Sequence, residues 1–241
     1  MERYKRQMSL PEFGAEGQRR LSGAKVLVVG LGGLGSVLSH CLAGMGVGHL
    51  TLVDPDRVEP HNLDRQFLYN EEDIGQPKAL AAARHLERLN HHVCVQPLIE
   101  TFSTDTVILA NQFDLAIAAT DSRASRLDVN RACCGARIPL VCGGVAGLYG
   151  TLQVVFSGRT PCVHCAGGSE TWTDHTPALA PVVSTLSALM AQAAVGVLCG
   201  WELPQNKLLL FDAKRFELEH IPLRRKEGCP HCGGLTEETK C

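Results

Sequence analysis

The sequence predicts an α/β protein built on a Rossmann-like, doubly wound sheet that is mostly parallel and continues into antiparallel strands. Short apolar runs rich in β-branched residues alternate with helical stretches through the first half of the chain, and this alternation is typical of parallel βαβ units. The second half changes to alternating apolar and polar residues between turn residues, a pattern that favours antiparallel strands. With 241 residues, 45% of them hydrophobic, the chain can bury a core of this size.

The parallel half is predicted from five apolar runs. They lie at residues 25–29, 49–54, 93–99, 113–120 and 138–144. A glycine-rich loop follows the first run, and a helix is expected across 36–46, where apolar residues recur at helical spacing. A second helix is expected at about 77–90, opening with a proline, which is tolerated in the first turn of a helix.

The second half adds antiparallel strands and a long helix. The segments 148–158 and 207–223 have the alternation of such strands. Between them, no charged residue occurs from Thr176 to Trp201, a span long enough to cross a bilayer. Prolines, serines and a glutamine interrupt it, so we expect a helix buried in a soluble core. No linker divides the chain, which is expected to form one domain over 1–241.

Charge and cysteine content indicate the compartment. The 23 Lys and Arg residues against 25 Asp and Glu residues give a net charge of -2, which argues against bulk binding to nucleic acid or to an anionic membrane. The N-terminal segment is charged and lacks the apolar run of a signal peptide. The eleven cysteines lie mostly among apolar neighbours. We therefore expect a cytoplasmic protein with neither a nucleic-acid partner nor a membrane.

The glycine-rich loop predicts a nucleotide site. It contains Gly30, Gly32, Gly33 and Gly35. Glycines between a strand and a helix allow a sharp turn close to a phosphate, and the helix N-terminus supplies N–H donors. Asp54 ends the second predicted strand, where a carboxylate can accept hydrogen bonds from a ribose. The motif predicts an adenine nucleotide but does not distinguish NAD from ATP.

The loop after Asp54 favours ATP. It contains a second acid, two amides and a guanidinium: Asp56, Asn62, Gln66 and Arg65. Asparagine and arginine donate to phosphate oxygens, and the arginine fork suits phosphoryl groups. A dehydrogenase that binds a pyrophosphate at the glycine loop does not need such a segment, whereas a triphosphate does.

Two further charged residues extend this site. Lys78 lies near the start of the second predicted helix, where it can contact a phosphate as a point charge. Asp121 follows the fourth predicted strand, and the carboxyl ends of parallel strands line the ligand crevice. Asp121 is therefore a candidate for binding Mg²⁺ or ordering the phosphates.

Two CxxC pairs predict a structural zinc site. The four cysteines are Cys162, Cys165, Cys229 and Cys232. CxxC spacing lets both thiolates of a pair face one metal, and two pairs complete a tetrahedral Cys₄ site. His164 and His231 lie inside the pairs and are expected to be bystanders, since four sulfurs fill the coordination shell. The alternative is a set of redox or incidental thiols.

Several motifs occur in an order that resembles a known family. They are Arg3-Tyr4 followed by Arg6-Gln7, the GLGGLG loop, DxDxVxxxNLxRQ, GQPK, and Thr120-Asp121 after the fourth strand. In this combination the chain, from about residue 3 to residue 234, resembles the E1-like adenylating enzymes and, within them, the bacterial ThiF/MoeB/HesA proteins.

The resemblance implies an activity and a role for each residue. The activity is adenylation of the C-terminal Gly-Gly carboxylate of a ubiquitin-like sulfur carrier (ThiS/MoaD-like) by Mg-ATP, releasing pyrophosphate, for thiamine or molybdenum-cofactor biosynthesis. By resemblance, Gly33 and Asp54 hold the nucleotide and Asp121 holds Mg²⁺. The residues that would bind the phosphates are Asn62, Arg65, Gln66 and Lys78. Arg6 reaches into the partner's site of a homodimer.

The same resemblance divides the single domain into two halves. Residues of about 20–145 would bind the nucleotide, and residues of about 146–235 would bind the carrier and zinc. The crossover segment 166–181 departs from the family pattern. Many relatives have a cysteine there that takes up the carrier, but Thr173 occupies the matching position. Because a threonine hydroxyl is a poor nucleophile without a base, we expect an enzyme that stops at the acyl-adenylate and leaves sulfur delivery to a persulfide-bearing partner.

Three other functions stay open at this stage. A related E1-like enzyme would activate a tRNA-modification intermediate or a small peptide. An NAD-dependent oxidoreductase would use the same glycine loop but not the polar loop after it. A non-catalytic nucleotide-binding scaffold would retain the fold and the zinc site.

Overall fold

The computed structural model describes residues 2–103, 112–167 and 177–235. Within these ranges, one sheet of eight strands runs through both halves of the chain, in the order β3-β2-β1-β4-β5-β6-β7-β8. The strands are β1 (Lys25–Val29), β2 (His49–Val53), β3 (Cys94–Leu98), β4 (Leu115–Ala118), β5 (Leu140–Ala146), β6 (Tyr149–Val155), β7 (Lys207–Asp212) and β8 (Glu217–Pro222).

The first five strands form the parallel part of the sheet. Every pairing from β3 through β2, β1 and β4 to β5 is parallel. All four residues of β4 and the last four of β1 and β2 are buried, as expected for parallel strands covered on both faces. The five strands predicted from apolar runs are confirmed, with ends shifted by up to two residues.

The last three strands are antiparallel. β5 pairs with β6, β6 with β7, and β7 with β8. The segment 207–223, predicted to be antiparallel strand, forms the two strands β7 and β8, which a turn joins. In this turn the carboxylate of Asp212 accepts hydrogen bonds from the backbone N–H groups of Lys214 and Arg215, at 2.9 and 3.1 Å. The mostly parallel sheet with an antiparallel extension is confirmed.

Helices cover both faces of the sheet. They are α1 (Lys5–Met8), α2 (Gly14–Gly23), α3 (Gly33–Met45), α4 (Lys78–Leu89), α5 (Arg123–Ala136), α6 (Val163–Ala166) and α7 (Ala180–Cys199). The apolar pattern of the sequence predicts α3, α4 and α7 but not α2 or α5. Three glycines dilute the apolar spacing of α2, and α5 is rich in arginine and small polar residues, so neither shows a clear helical pattern.

Two hydrophobic layers hold the helices on the sheet. One cluster, which includes Leu38, Leu86 and Leu186, joins α3, α4 and α7 to one face. The other includes Val129 of α5 and the four paired cysteines, on the opposite face. The paired cysteines therefore lie in a core layer and not in a separate lobe.

Helix α7 is the one described helix that is long and apolar enough to cross a membrane. Of its most apolar stretch of 18 residues, 61% is buried inside the protein. The helix contacts α3, β5 and β6. The expectation of a core helix in the uncharged span is confirmed for Ala180–Cys199.

Candidate functional site

A cavity of about 350 Å³ lies at the carboxyl ends of the parallel strands. Val29 and Val53, which end β1 and β2, and Ala119, which follows β4, form part of its wall. Ten of the residues predicted for the nucleotide site line it: Gly30, Gly32, Gly33, Asp54, Asp56, Asn62, Arg65, Gln66, Lys78 and Asp121. Gly35 and Arg6 lie outside the lining.

The glycine loop is held where side chains would not fit. Gly30 has a φ of +90°, a conformation that L side chains rarely adopt. A Cβ atom on Gly35 would lie 1.8 Å from the carbonyl oxygen of Gly30, so Gly35 permits helix α3 to approach the loop. A Cβ on Gly33 would lie 2.8 Å from Val183 of α7. The helix N-terminus, beginning at Gly33, therefore sits close against the cavity.

The carboxylate of Asp54 holds the backbone of the glycine loop by a hydrogen bond. It is buried, and its carboxylate accepts hydrogen bonds from the backbone N–H groups of Leu31, at 2.6 Å, and Asp56, at 2.8 Å. The hydroxyl of Tyr69 donates to the carbonyl of Leu31 at 3.0 Å. Burial raises the pKa of Asp54, while the nearby positive charge of Lys78 acts in the opposite direction.

Lys78 places a buried cation at the same end of the sheet. Its side chain is 8% exposed, and Nζ lies 3.0 Å from a carboxylate oxygen of Asp56, whose own side chain is 61% exposed. The backbone N–H of Lys78 also donates to the carbonyl of Asp56 at 2.9 Å. Because one partner is accessible from the cavity, an incoming anion can share this ammonium group.

Some polar side chains of the loop from Glu59 to Gln66 make hydrogen bonds within the loop itself. The amide oxygen of Asn62 accepts a hydrogen bond from the backbone N–H of Glu59 at 3.0 Å. Nη1 of Arg65 donates to the carbonyl of His61 and to Asp64, at 2.8 and 2.7 Å. The turn thus presents the Arg65 side chain beside Gly33.

The buried side chain of Gln66 lacks one hydrogen-bond partner within the part of the chain that the structure describes. The side chain is 3% exposed and lines the cavity, and its Oε1 atom has no hydrogen-bond partner among the described residues. Its amide nitrogen would lie 3.8 Å from a Cβ on Gly32. Because a buried polar group without a partner is costly, this amide fits a ligand that supplies the missing hydrogen bond.

The first turn of α5 adds two lining residues that the sequence pattern does not predict. Asp121 is exposed and lines the cavity, and Ser125 and Arg126 of α5 line it as well. Nε of Arg126 donates to the carbonyl of Thr120 at 3.0 Å. Since α5 was not predicted, the position of its first turn could not be inferred; parallel pairing of β4 and β5 is the signal that requires a helix there.

The two CxxC pairs meet in one buried cluster. All four sulfur atoms lie within 4.8 Å of one another, with sulfur–sulfur distances of 3.8, 3.7 and 3.5 Å for the Cys162–Cys165, Cys162–Cys229 and Cys165–Cys232 pairs. A tetrahedral zinc site with bonds of about 2.3 Å separates its sulfurs by about 3.8 Å. The arrangement therefore fits one tetrahedral metal ion.

The surroundings of the cysteine cluster are polar donors. The backbone N–H of Lys226 donates to the sulfur of Cys165 at 3.3 Å. Arg225 donates to the carbonyls of Gly158 and Leu235, at 3.0 and 2.8 Å, and also to that of Cys232. The Arg225 contacts join the C-terminal segment to the loop after β6, and the N–H of Lys226 stabilises negative charge on the sulfur of Cys165.

Two predicted positions remain apart from this geometry. Arg6 is exposed on α1, and a role in a partner's site needs a second copy of the chain. Thr173 lies outside the described residues. Among the described residues, the cavity lining contains no cysteine.

Comparisons with known proteins agree on one family. The ThiF family model matches residues 4–231. The molybdopterin-synthase adenylyltransferase of Escherichia coli is 35% identical over 240 residues, covering 97% of this chain and 96% of that protein. The sulfur carrier protein ThiS adenylyltransferase of E. coli is 35% identical over 247 residues, covering 96% and 95%. A crystal structure of E. coli MccB with ATP is 25% identical, with a TM-score of 0.82, covering 92% of this chain and 71% of that chain.

Proposed function

The chain belongs to the ThiF family, and from that premise we propose that it is an adenylyltransferase that activates the C-terminal Gly-Gly carboxylate of a ubiquitin-like sulfur-carrier protein with Mg-ATP. The observation that supports this most is the cavity lined by ten of the predicted nucleotide-site residues. Both E. coli relatives are named as adenylyltransferases, one for ThiS and one for molybdopterin synthase.

The reaction needs cations more than a base. A carboxylate oxygen of the carrier attacks the α-phosphorus of ATP, the bond to the bridging oxygen breaks, and pyrophosphate leaves with its electron pair. No proton has to be removed from the nucleophile, because a carboxylate is ionised at neutral pH. Catalysis then depends on positioning and on charge placed where the phosphates gather negative charge. Lys78 and Arg65 supply that charge in this cavity.

Other residues of the cavity would bind the nucleotide. The N–H groups at the start of α3 would face the phosphates across the glycine loop. Asp54 would contact the ribose. Gln66, which the family resemblance assigns to the phosphates, would instead accept a hydrogen bond from a ribose hydroxyl through its unpartnered Oε1, because phosphate oxygens have no hydrogen to donate. Asp121 would bind Mg²⁺, for which a carboxylate oxygen is a suitable ligand.

Zinc fits the cysteine cluster as a structural ion. Four buried thiolates at tetrahedral spacing leave no open position for a reacting water, so the ion would join the C-terminal segment to the sheet. We assign it no step in the reaction.

The product of the chain's own chemistry is the acyl-adenylate. The described cavity lining contains no cysteine, and Thr173 replaces the expected one. We therefore infer that a partner protein that carries a persulfide transfers the sulfur. Arg6 would complete the site across a symmetric homodimer. Both assignments follow the family pattern, and the enzyme would act in the cytoplasm.

ATP–pyrophosphate exchange tests the proposal. Purified protein with Mg²⁺, labelled pyrophosphate and each available Gly-Gly carrier is compared with the same carriers lacking the last glycine. We expect exchange with one intact carrier and none with its truncated form, which would also identify the pathway. ATP binding without exchange for any carrier would favour a tRNA-modification intermediate or a peptide as substrate. Failure to bind ATP would contradict the enzyme assignment.

A further inference from the structure

One helix contacts both the nucleotide cavity and the cysteine cluster. The first turn of α5 lines the cavity through Ser125 and Arg126. One turn further on, Asn130 contacts the CxxC pairs. Residues four apart lie on the same side of a helix, and they are separated by about 6 Å along its axis. The two sites are therefore neighbours along a single rigid element.

Asn130 joins the two cysteine pairs to each other. It is fully buried, and its Oδ1 accepts a hydrogen bond at 2.9 Å from the backbone N–H of Val163, which follows Cys162. Its Nδ2 lies 2.8 Å from Nδ1 of His231, between the cysteines of the second pair. Because a backbone N–H can only donate, the amide orientation is fixed, and Nδ2 must donate to an unprotonated Nδ1 of His231. His231 thus has a structural contact and is more than a bystander.

The other end of the helix fixes the loop that contains Asp121. Nε of Arg126 donates to the carbonyl of Thr120 at 3.0 Å. The hydroxyl oxygen of Ser122 caps the helix by accepting from the backbone N–H of Ser125 at 3.1 Å. Asp121 lies between these two anchored residues, so a shift of α5 shifts its carboxylate.

We propose that Asn130 is a positioning residue that couples the cysteine cluster to nucleotide binding, by fixing helix α5 and with it the Asp121 loop. The proposal rests on the proposed function in taking the cavity as a Mg-ATP site. A buried amide that satisfies one donor and one acceptor on two separate segments holds them in one arrangement. Its loss leaves the partly buried N–H of Val163 without its acceptor, which costs free energy and releases the helix.

The test compares two variants of this contact with one control. Asn130→Ala removes both hydrogen bonds. Val163→Pro removes only the N–H donor, at the first position of a helix, where proline is well tolerated; it also copies the second pair, which has Pro230 at the matching position. Arg131→Ala is the control, because that side chain is 56% exposed, pairs with Asp128 and affects the second cysteine pair only through its charge near His231.

Zinc content and Mg-ATP affinity are measured on each zinc-loaded protein, by metal analysis and titration calorimetry. We expect Asn130→Ala to keep its zinc while its Kd for Mg-ATP rises about tenfold, the size of a typical coupling between sites. Val163→Pro should raise the Kd by a smaller factor, and Arg131→Ala should leave it unchanged. Amide hydrogen exchange across 120–126, without nucleotide, should be faster in Asn130→Ala and Val163→Pro than in the control.

Unchanged affinity and unchanged exchange in a folded, zinc-loaded Asn130→Ala would overturn the coupling. If that variant does not fold, Val163→Pro decides by the same two measurements. If the wild type binds no Mg-ATP, the proposed function fails, and hydrogen exchange across 120–126 still supports or contradicts the link between Asn130 and the loop.

Discussion

Lys78 illustrates how a single side chain is prepared for an anion. Burial of an ammonium group is unfavourable, and the contact with Asp56 at 3.0 Å offsets part of that cost. Asp56 is itself largely exposed, so the pair is open on one side. The carboxylate of buried Asp54 also lies close to the ammonium group of Lys78. The site therefore holds a cation that phosphate oxygens can approach from the cavity.

At this scale we expect Lys78→Ala and Arg65→Ala to lower the rate of pyrophosphate exchange by about a hundredfold to a thousandfold each, as when one preorganised contact to a transition state is removed. The control is Arg57→Ala, an exposed arginine of the same loop that lies outside the cavity lining. Exchange rates near that of the wild type in both folded variants would refute the assignment of these two cations.

A buried carboxylate, that of Asp73, joins the segment before helix α4 to that helix. Asp73 is fully buried and contacts Arg84 and, at 2.7 Å, Nε2 of His85, both on α4. It also accepts a hydrogen bond from the backbone N–H of Asn70 at 2.9 Å. Burial alone would raise the pKa of Asp73, but the Asn70 hydrogen bond and the charges of His85 and Arg84 lower it below its usual range. These contacts hold the loop against the helix that begins with Lys78.

We expect Asp73→Ala to lower the free energy of unfolding by about 2–3 kcal/mol at pH 7, because it removes hydrogen bonds to charged partners in a buried site. A carboxyl group whose pKa is lowered by folding stabilises the protein above its unfolded pKa, and this contribution is lost as the pH falls through the folded value. The difference between wild type and variant should therefore shrink below about pH 4, the ordinary pKa of aspartate. Urea unfolding of both proteins at pH 7 and pH 3 measures this difference in the free energy of unfolding. A difference that does not change with pH would contradict the stabilising role of the ionised Asp73 carboxylate.

At the scale of the whole molecule, the cysteine cluster joins segments that are far apart in the chain. Cys162 and Cys229 are separated by 67 positions and lie 3.7 Å apart at their sulfur atoms. Because the cluster belongs to the core layer on the α5 face of the sheet, metal bound there would fix the C-terminal segment to the rest of the fold.

We expect one zinc ion per chain, and we expect Cys229→Ser to lose it and to lower the melting temperature by about 10 °C, as a loss of several kcal/mol does in a chain of this length. A strong chelator should lower the melting temperature of the wild type in the same way. Cys94→Ser, at an exposed free cysteine, is the control and should change neither zinc content nor stability. Full stability in metal-free Cys229→Ser would show that the cluster is not a structural metal site.

Sequence alone determined the sheet strands, the glycine loop and ten of the residues that line the cavity. These signals are local: apolar runs show buried strands, glycines show where a chain turns sharply, and the strand ends bring Asp54 and Asp121 to one edge. The spacing of the two CxxC motifs also predicts that they share one metal ion.

Only the tertiary structure decided which partner each side chain takes. Asn62 uses its amide oxygen for its own turn, and Lys78 pairs with Asp56, 22 positions away. Arg126 enters the cavity on a helix without a clear apolar pattern, and Asn130 reaches both cysteine pairs. Such contacts depend on how distant segments pack, and burial energy is set by the final arrangement of the chain. A local pattern therefore specifies the elements of this protein, whereas long-range packing specifies how its two sites are connected.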